Sequence, residues 1–261
     1  MATPRWKTLP VVLRGTVEFD GAAFFGFQEQ PHRRTVQGVL KHTLADLLGV
    51  SPGEVVLFGS SRTDRGVHAE DLGISVHLPE PPPWSVEILL RAWRARLPED
   101  VWIHTLIPAP PGFHARYSAV AKRYRYRWLP GRRSPLRRGR VWMIPDTPDW
   151  SRARAALTDV QGRVDFRSLA LQTHDPFPVN IFHIALFPKD DEIWLEVEAD
   201  RFGYKSVRLL AATLLDIARG GFPPDLLAQL FRGAEHPAPR VAPAHGLTLV
   251  CTRYPASAPS S

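Results

Sequence analysis

The chain has 261 residues, a formal charge of +7 and one cysteine, Cys251. That length can bury a core in one or two domains, and a lone cysteine excludes an internal disulfide or a Cys-x-x-Cys metal clip. No apolar run approaches the ~20 residues of a membrane-spanning helix and the first residues hold no signal-peptide core, so a soluble cytoplasmic protein without a membrane partner is expected.

The charge is unevenly placed. Residues 101–145 hold ten Lys and Arg and no Asp or Glu, whereas the other 216 residues hold 23 basic and 26 acidic groups. A concentrated basic stripe is the footprint expected of a protein that meets a phosphate backbone.

In chain order, Val11–Phe19 alternates apolar and polar positions, the period of a half-buried strand, and Asp20-Gly21 ends it. Phe24–Pro31 follows as an aromatic loop with amides at Gln28 and Gln30. Such a loop can stack on and hydrogen-bond bases, or close a core as a lid. Thr35 is placed to cap a helix whose apolar face is Val36, Val39, Leu40, Leu44, Leu47 and Leu48, with Gly49 as its stop. The apolar run 55–58 predicts a short buried strand, residues 74–78 another, 85–97 an amphipathic helix, and 101–107 a further strand. The Pro-rich break at 108–112 is the best boundary in the chain. It divides a lobe at 9–108 from one at 109–255, with 256–261 expected to be a disordered tail.

In the second half, 119–128 predicts a strand with Val120, Tyr124, Tyr126 and Trp128 on one face and Arg123, Arg125 and Arg127 on the other. Its aromatics can pack while its guanidiniums meet phosphate. Residues 131–140 read as a mobile basic loop. A short helix at 151–160, paired strands at 181–187 and 193–199, a long helix at 207–218, a short helix after Pro223-Pro224 and a last strand at 247–252 complete the chain. Strands mixed with helices in both halves predict an α+β protein of two similar lobes, with mixed, mainly antiparallel sheet flanked by helices.

The stretch on which chemistry can rest is 59–69, Gly-Ser-Ser-Arg-Thr-Asp-Arg-Gly-Val-His-Ala. A strand delivers onto a loop the carboxylate of Asp64 between Arg62 and Arg65, with Gly66 beside them. An ionised carboxylate so placed can serve as base or nucleophile, and the same residues also suit a surface loop with an ion pair. Asp200–Arg208 brings three cations to a helix start, where the helix dipole opposes them and an opposing carboxylate or RNA phosphate would offset the cost. The histidines share no metal-ligand spacing, and no phosphate-binding glycine loop, dinucleotide fingerprint or nucleophile elbow is present.

Together these stretches resemble the bacterial tRNA pseudouridine synthase A family over nearly the whole chain. The resemblance is carried by residues 19–21, 24 and 26–31; 35–40; Arg62-Thr63-Asp64 with 66–69; 113–116; 122–126; 165–166; Phe202, Tyr204 and Val207-Arg208; and 242–244 with 246–247. It implies the pseudouridine synthase fold with an active-site cleft between two lobes. It also implies an isomerase that detaches uracil from ribose, turns the base and rejoins it through C5, in the anticodon stem-loop at tRNA positions 38, 39 or 40.

By this resemblance Asp64 is the catalytic aspartate, Arg62 fills the place of the everted uridine, and Tyr124 packs on the flipped base and assists proton transfer at C5. Arg208 pairs with the catalytic carboxylate and Leu247 lines the base pocket. Gln28, Arg65, Arg123, Arg125, Phe202 and Lys205 complete the expected RNA-contacting set. No cofactor and no metal is implied, and the partners are tRNA and a second copy of the chain in a homodimer. The chain departs from the family at Ser61, where Gly is usual, and at Arg65, where Ala is usual. Glu70-Asp71 resembles a two-residue insertion, and Val179 stands where Arg is frequent. Two other readings fit part of the pattern, a non-catalytic paralogue that grips and remodels tRNA and a different carboxylate enzyme on RNA, such as a glycosylase or nuclease.

Overall fold

The computed structural model describes residues 4–158, 160–173 and 175–255. The chain divides into two compact units, residues 1–120 with 249–261 and residues 121–248. This differs from lobes at 9–108 and 109–255 in two ways: the break falls after residue 120, and the final residues return to the first unit. The expected tail at 256–261 lies outside the described residues.

Unit 1 is built on β1 (Val11–Phe19), α1 (Val36–Leu48), β2 (Val56–Gly59), β3 (His68–Leu78), α2 (Val86–Arg94) and β4 (Val101–Pro108). β1 lies between β3 and β4, antiparallel to both, and β2 pairs antiparallel with β3. The alternation of β1 is realised as buried Leu13, Val17 and Phe19 against exposed Glu18. Thr35 caps α1, its hydroxyl accepting the Gly38 N–H at 3.2 Å, and Gly49 ends it in the left-handed conformation at φ 69°. Leu40 and Leu44 on α1 and Trp93 on α2 are fully buried, and the Trp93 indole N–H donates to the Thr43 hydroxyl at 3.0 Å, tying the two helices. β3 begins at His68, well before the predicted residue 74.

Unit 2 holds β5 (Ala121–Pro130), β6 (Trp142–Ile144), α3 (Trp150–Ala155), β7 (Gly162–Asp165), β8 (Pro178–Lys189), β9 (Glu192–Ala199), α4 (Ser206–Ala218) and α5 (Leu226–Leu230). The order β5-β9-β8-β7 is antiparallel throughout, with β6 parallel to β5. α4 is apolar almost all round, so it is buried almost all round. β10 (Leu247–Arg253) starts in unit 2, and its residues 249–253 close unit 1 beside β3, where the Thr252 and Ser60 hydroxyls meet at 2.7 Å in the buried interior.

The aromatic face of β5 is core, with Tyr126 and Trp128 fully buried. Its basic face is the point at which the sequence misleads. Arg123 stands opposite Glu198 and Arg125 opposite Glu196 in the β5–β9 register, and each guanidinium donates to its opposing carboxylate at 2.6–2.9 Å. Arg127 holds Glu192 with two hydrogen bonds of 2.7 and 2.8 Å. The residues expected to offer guanidiniums to phosphate therefore form a cross-strand ion-pair ladder. The loop expected to be mobile at 131–140 is likewise engaged: it contains a 3-10 turn at Pro135–Arg137, and Arg132 and Arg137 both reach Asp191.

Glu192, only 5 % exposed, shows what the ladder does. Burial works against its charged form, but Arg127, the Trp194 indole N–H and Arg137 outweigh it and hold the carboxyl below its ordinary range. Arg127→Ala should cost about 2 kcal/mol, less than a sole buried pair because Arg137 remains. Adding Glu192→Leu should recover most of that loss in urea unfolding, because the stranded charge is then gone.

Candidate active site

Asp64 lies on the loop that leaves β2 at Gly59 and enters β3 at His68. Several backbone bonds fix that loop. Ser60 N–H donates to Gly73 O at 2.8 Å, and Val67 N–H donates to Asp64 O at 3.1 Å, closing the turn on the aspartate itself. From the other side, Phe27 N–H donates to Thr63 O at 3.1 Å and Gly21 N–H to His68 Nδ1 at 3.1 Å. The Phe27 carbonyl in turn accepts the Gln37 N–H of α1 at 2.8 Å. The loop 20–35 thus joins the Asp64 turn to the first turn of α1.

Gly26 makes this approach possible. Its φ of +96° is left-handed, and a side-chain carbon there would sit 2.6 Å from Thr63 O. Phe24 and Phe27 are buried beneath the loop, so the lid reading of the aromatic cluster holds for those two rings.

Phe25 differs. Its ring is half-buried, and the guanidiniums of Arg33 and Arg65 lie over it at 4.5 and 4.4 Å from the centroid. Arg62, Arg33 and Arg65 are all exposed and form no ion pair among the described residues. This contrasts with the β5 ladder, whose guanidiniums are committed to carboxylates of β9. Sequence reading found Arg62, Arg65 and the aromatic loop that holds Phe25, but missed Arg33 above its ring. The signal was there, in an exposed pair, Arg33-Arg34, within the same loop as an aromatic. Gln28, also exposed, extends from this loop.

The other expected site residues belong to unit 2. Tyr124 on β5 is 7 % exposed and meets Phe202 edge-on at 5.0 Å between centroids. Lys205, at φ +58°, precedes α4, and its ammonium lies 4.8 Å from the Tyr204 ring. Arg208, in the first turn of α4, is held by the segment before β10: its Nε donates to Ala242 O at 2.7 Å, and Ala242 N–H donates back to Arg208 O at 3.2 Å.

Tyr126 pins the same segment, donating its hydroxyl to Pro243 O at 2.8 Å, and burial raises that phenol far above its ordinary range against the nearby Arg208 charge. Gly246 permits the contact, because a Cβ there would come 2.7 Å from the Tyr126 ring. Leu247, 6 % exposed, follows directly. Tyr126 thus positions both Arg208 and Leu247, a role that a stripe of strand aromatics does not announce. Arg123 and Arg125 are in the carboxylate ladder described above.

Within unit 1 the arrangement offers one half-buried carboxylate on a fixed turn, with exposed arginines at 62 and 65 on the same loop. Within unit 2 it offers a buried tyrosine, a fixed arginine and an apolar strand start. These are the parts needed to hold a flat apolar ring and to stabilise anionic groups.

A family model described as tRNA pseudouridine synthase matches residues 16–118 and 156–255. The tRNA pseudouridine synthase A of Frankia casuarinae is 37 % identical over 250 residues, which cover 94 % of this chain and 90 % of the relative. Those of Limosilactobacillus fermentum and a Roseiflexus species are 34 % and 35 % identical, covering 94 % and 92 % of this chain and 96 % and 89 % of theirs. On these matches, which take in both units, the chain belongs to the tRNA pseudouridine synthase family.

Proposed function

We propose that this chain converts uridine to pseudouridine in the anticodon stem-loop of tRNA, with Asp64 as the group that attacks the everted nucleoside. The observation that carries the reading is the locked Arg62-Thr63-Asp64 turn, with its carboxylate on a rigid support and its arginines exposed. The reaction breaks the N1–C1′ bond and forms C5–C1′. N1 ends with a proton and C5 loses one, so no atom is gained or lost.

Arg62 occupies the space that the extruded base leaves in the stem, offsetting part of the few kcal/mol that unstacking costs. Tyr124 lies along the turned base and assists removal of the C5 proton. Arg208, held by Ala242, supplies a fixed positive charge to the reaction, and Leu247 borders the uracil. Phe202 supports Tyr124, while Lys205, Gln28 and Arg65 contact the RNA. The enzyme works as a homodimer in the cytoplasm.

The direct test is to incubate the protein with unmodified tRNA transcript and map pseudouridine along the anticodon arm. Pseudouridine at those uridines, with tRNA mass unchanged, is the expected result. Binding without isomerisation would return the non-catalytic reading, and free uracil or a cut strand would point to a glycosylase or nuclease.

The Phe25 cluster gives a second measurement. Replacing Arg33 and Arg65 together with Ala should weaken tRNA binding across all substrates alike. It should also flatten the dependence of log Kd on log salt by roughly one for each phosphate that is no longer neutralised. An unchanged salt slope would mean that these guanidiniums do not meet the backbone.

A further inference from the structure

One cavity in unit 1 has walls, around His114 and Tyr117, that take no part in the proposed reaction. It has a volume of about 130 Å³, lies beside Arg62, and is bordered by Gln28, Phe58, His114, Arg116 and Tyr117. Its wall is rigid. His114 is 4 % exposed and stacks on Phe58 at 4.2 Å between centroids and 26° between planes. His114 N–H donates to the Ser118 hydroxyl at 3.1 Å and Ser118 N–H donates back to His114 O at 2.9 Å, closing the turn in both directions. The turn is fastened to β3 by Ala115 N–H donating to the Ser75 hydroxyl, and Tyr254 donates its hydroxyl to Ala115 O.

The orientation of the imidazole is fixed as well. Nδ1 accepts the N–H groups of Arg116 and Tyr117 at 3.1 and 3.4 Å, so the ring proton is on Nε2. No protein acceptor meets Nε2 among the described residues. Burial, with the neighbouring His77 and Arg116, lowers His114 to about 4, which keeps it neutral and in this tautomer near neutral pH.

At the mouth, the Tyr117 ring is 74 % exposed and sits 4.4 Å from the His114 ring. A tyrosine this exposed buries little of its apolar surface in the fold and is free to give that surface to a ligand. Arg62 and Arg116 at the rim are exposed and form no ion pair among the described residues, and the Gln28 amide offers both a donor and an acceptor.

A flat ring to stack on, a fixed N–H donor, an amide and two guanidiniums match the three faces of one nucleotide: base plane, base edge and phosphate. The cavity is small against the several hundred Å³ of typical small-molecule pockets, and suits one ring rather than a larger ligand.

We propose that this cavity is a subsite for one unpaired nucleotide of the RNA next to the target uridine, its base stacked on Tyr117, its edge read by His114 Nε2–H and Gln28, and its phosphate met by Arg116. The proposal rests on the function given above, and it adds a second base-holding point made from unit 1 alone. Holding a flanking nucleotide outside its stack keeps the strand open beside the target, so selection among uridines would depend on whether a neighbour can reach this pocket.

The test pairs a protein change with an RNA change. Tyr117→Ala removes an exposed side chain, and Kd would be measured by fluorescence anisotropy. The ligands are the anticodon stem-loop and a series carrying one abasic nucleotide at each unpaired position. Tyr117→Ala should weaken binding of the intact stem-loop roughly 5- to 100-fold, the range of one lost base stack. That penalty should vanish for one abasic RNA, whose missing base is the one stacked in the wild type. Equal penalties on every RNA, or no penalty on any, would overturn the subsite. Pseudouridine formation by the wild type on the intact stem-loop is read in parallel. Its absence would count against the proposed reaction, while the binding comparison would still decide the pocket.

Discussion

Asp64→Asn should abolish pseudouridine formation in unmodified tRNA, with a loss of ~10⁴-fold or more in single-turnover rate, the scale seen when the nucleophile of an enzyme is removed. The substitution keeps the size of the side chain and removes only the anionic oxygen, so the turn held by Ser60, Val67 and Phe27 should survive. Affinity for tRNA should stay within about tenfold, because phosphate contacts supply most of the binding free energy and this change touches none of them. Rate and binding are therefore expected to separate, which a misfolded variant would not show. A variant as active as the wild type would remove Asp64 from the chemistry, and with it the proposed mechanism.

The second large effect concerns acid. His77 and His114 share an aromatic cage with Trp6 and Phe58, and ring centroids around His77 lie 5.6–6.5 Å away. Burial lowers both histidines to about 4, opposed at His77 by a backbone hydrogen bond with Trp6 and reinforced at His114 by the other ring and by Arg116. In the unfolded chain each titrates near 6.5. Between pH 6.5 and 4 the unfolded state therefore binds more protons, and stability must fall as pH falls through that window. The loss amounts to at most about 3 kcal/mol per histidine, and less than twice that for the pair because the two rings interact. His236 and His245 are lowered by burial as well and add to the same slope.

The paired carboxylates act lower. Asp146, Asp191 and Glu192 are held below their ordinary range by arginines, so their contribution is lost only below about pH 4.5. Urea unfolding from pH 7.5 to 4.5 isolates the histidines. The wild type should lose several kcal/mol over that range, and His77→Gln should flatten the curve. A slope unchanged by the substitution would show that the cage accepts protons without penalty.

Local signals were readable, and pairing at a distance was not. Thr35 and Gly49 mark the ends of α1 because a cap is chemistry within a few residues. The apolar face of β5 was equally plain from its period. Strands β6 and β7, three and four residues long, are too short to display a period.

The basic face of β5 gave the opposite lesson. A window without acids looks unsatisfied only along the chain, and the carboxylates that satisfy it lie 65–75 residues later on β9, placed by register. Counting charge finds cations without revealing which are committed. Arg33, Arg62 and Arg116 lie outside the densest part of the basic window, yet they form no ion pair among the described residues.

The return of β10 to the first unit has a consequence for biosynthesis. Thr252 meets Ser60 and Gly73 across 192 and 179 residues of sequence, and Tyr254 reaches Ala115 across 139. A nascent chain thus emerges from the ribosome with the sheet that carries the Asp64 turn still missing a strand, and it waits in that state until β10 has been made. During that interval the part of β3 that β2 does not cover, before residue 74, is an open edge, the kind of surface that invites aggregation. Chains released before Leu249 would hold every residue of the Arg62–Asp64 turn and lack the part of β10 that closes the sheet behind it.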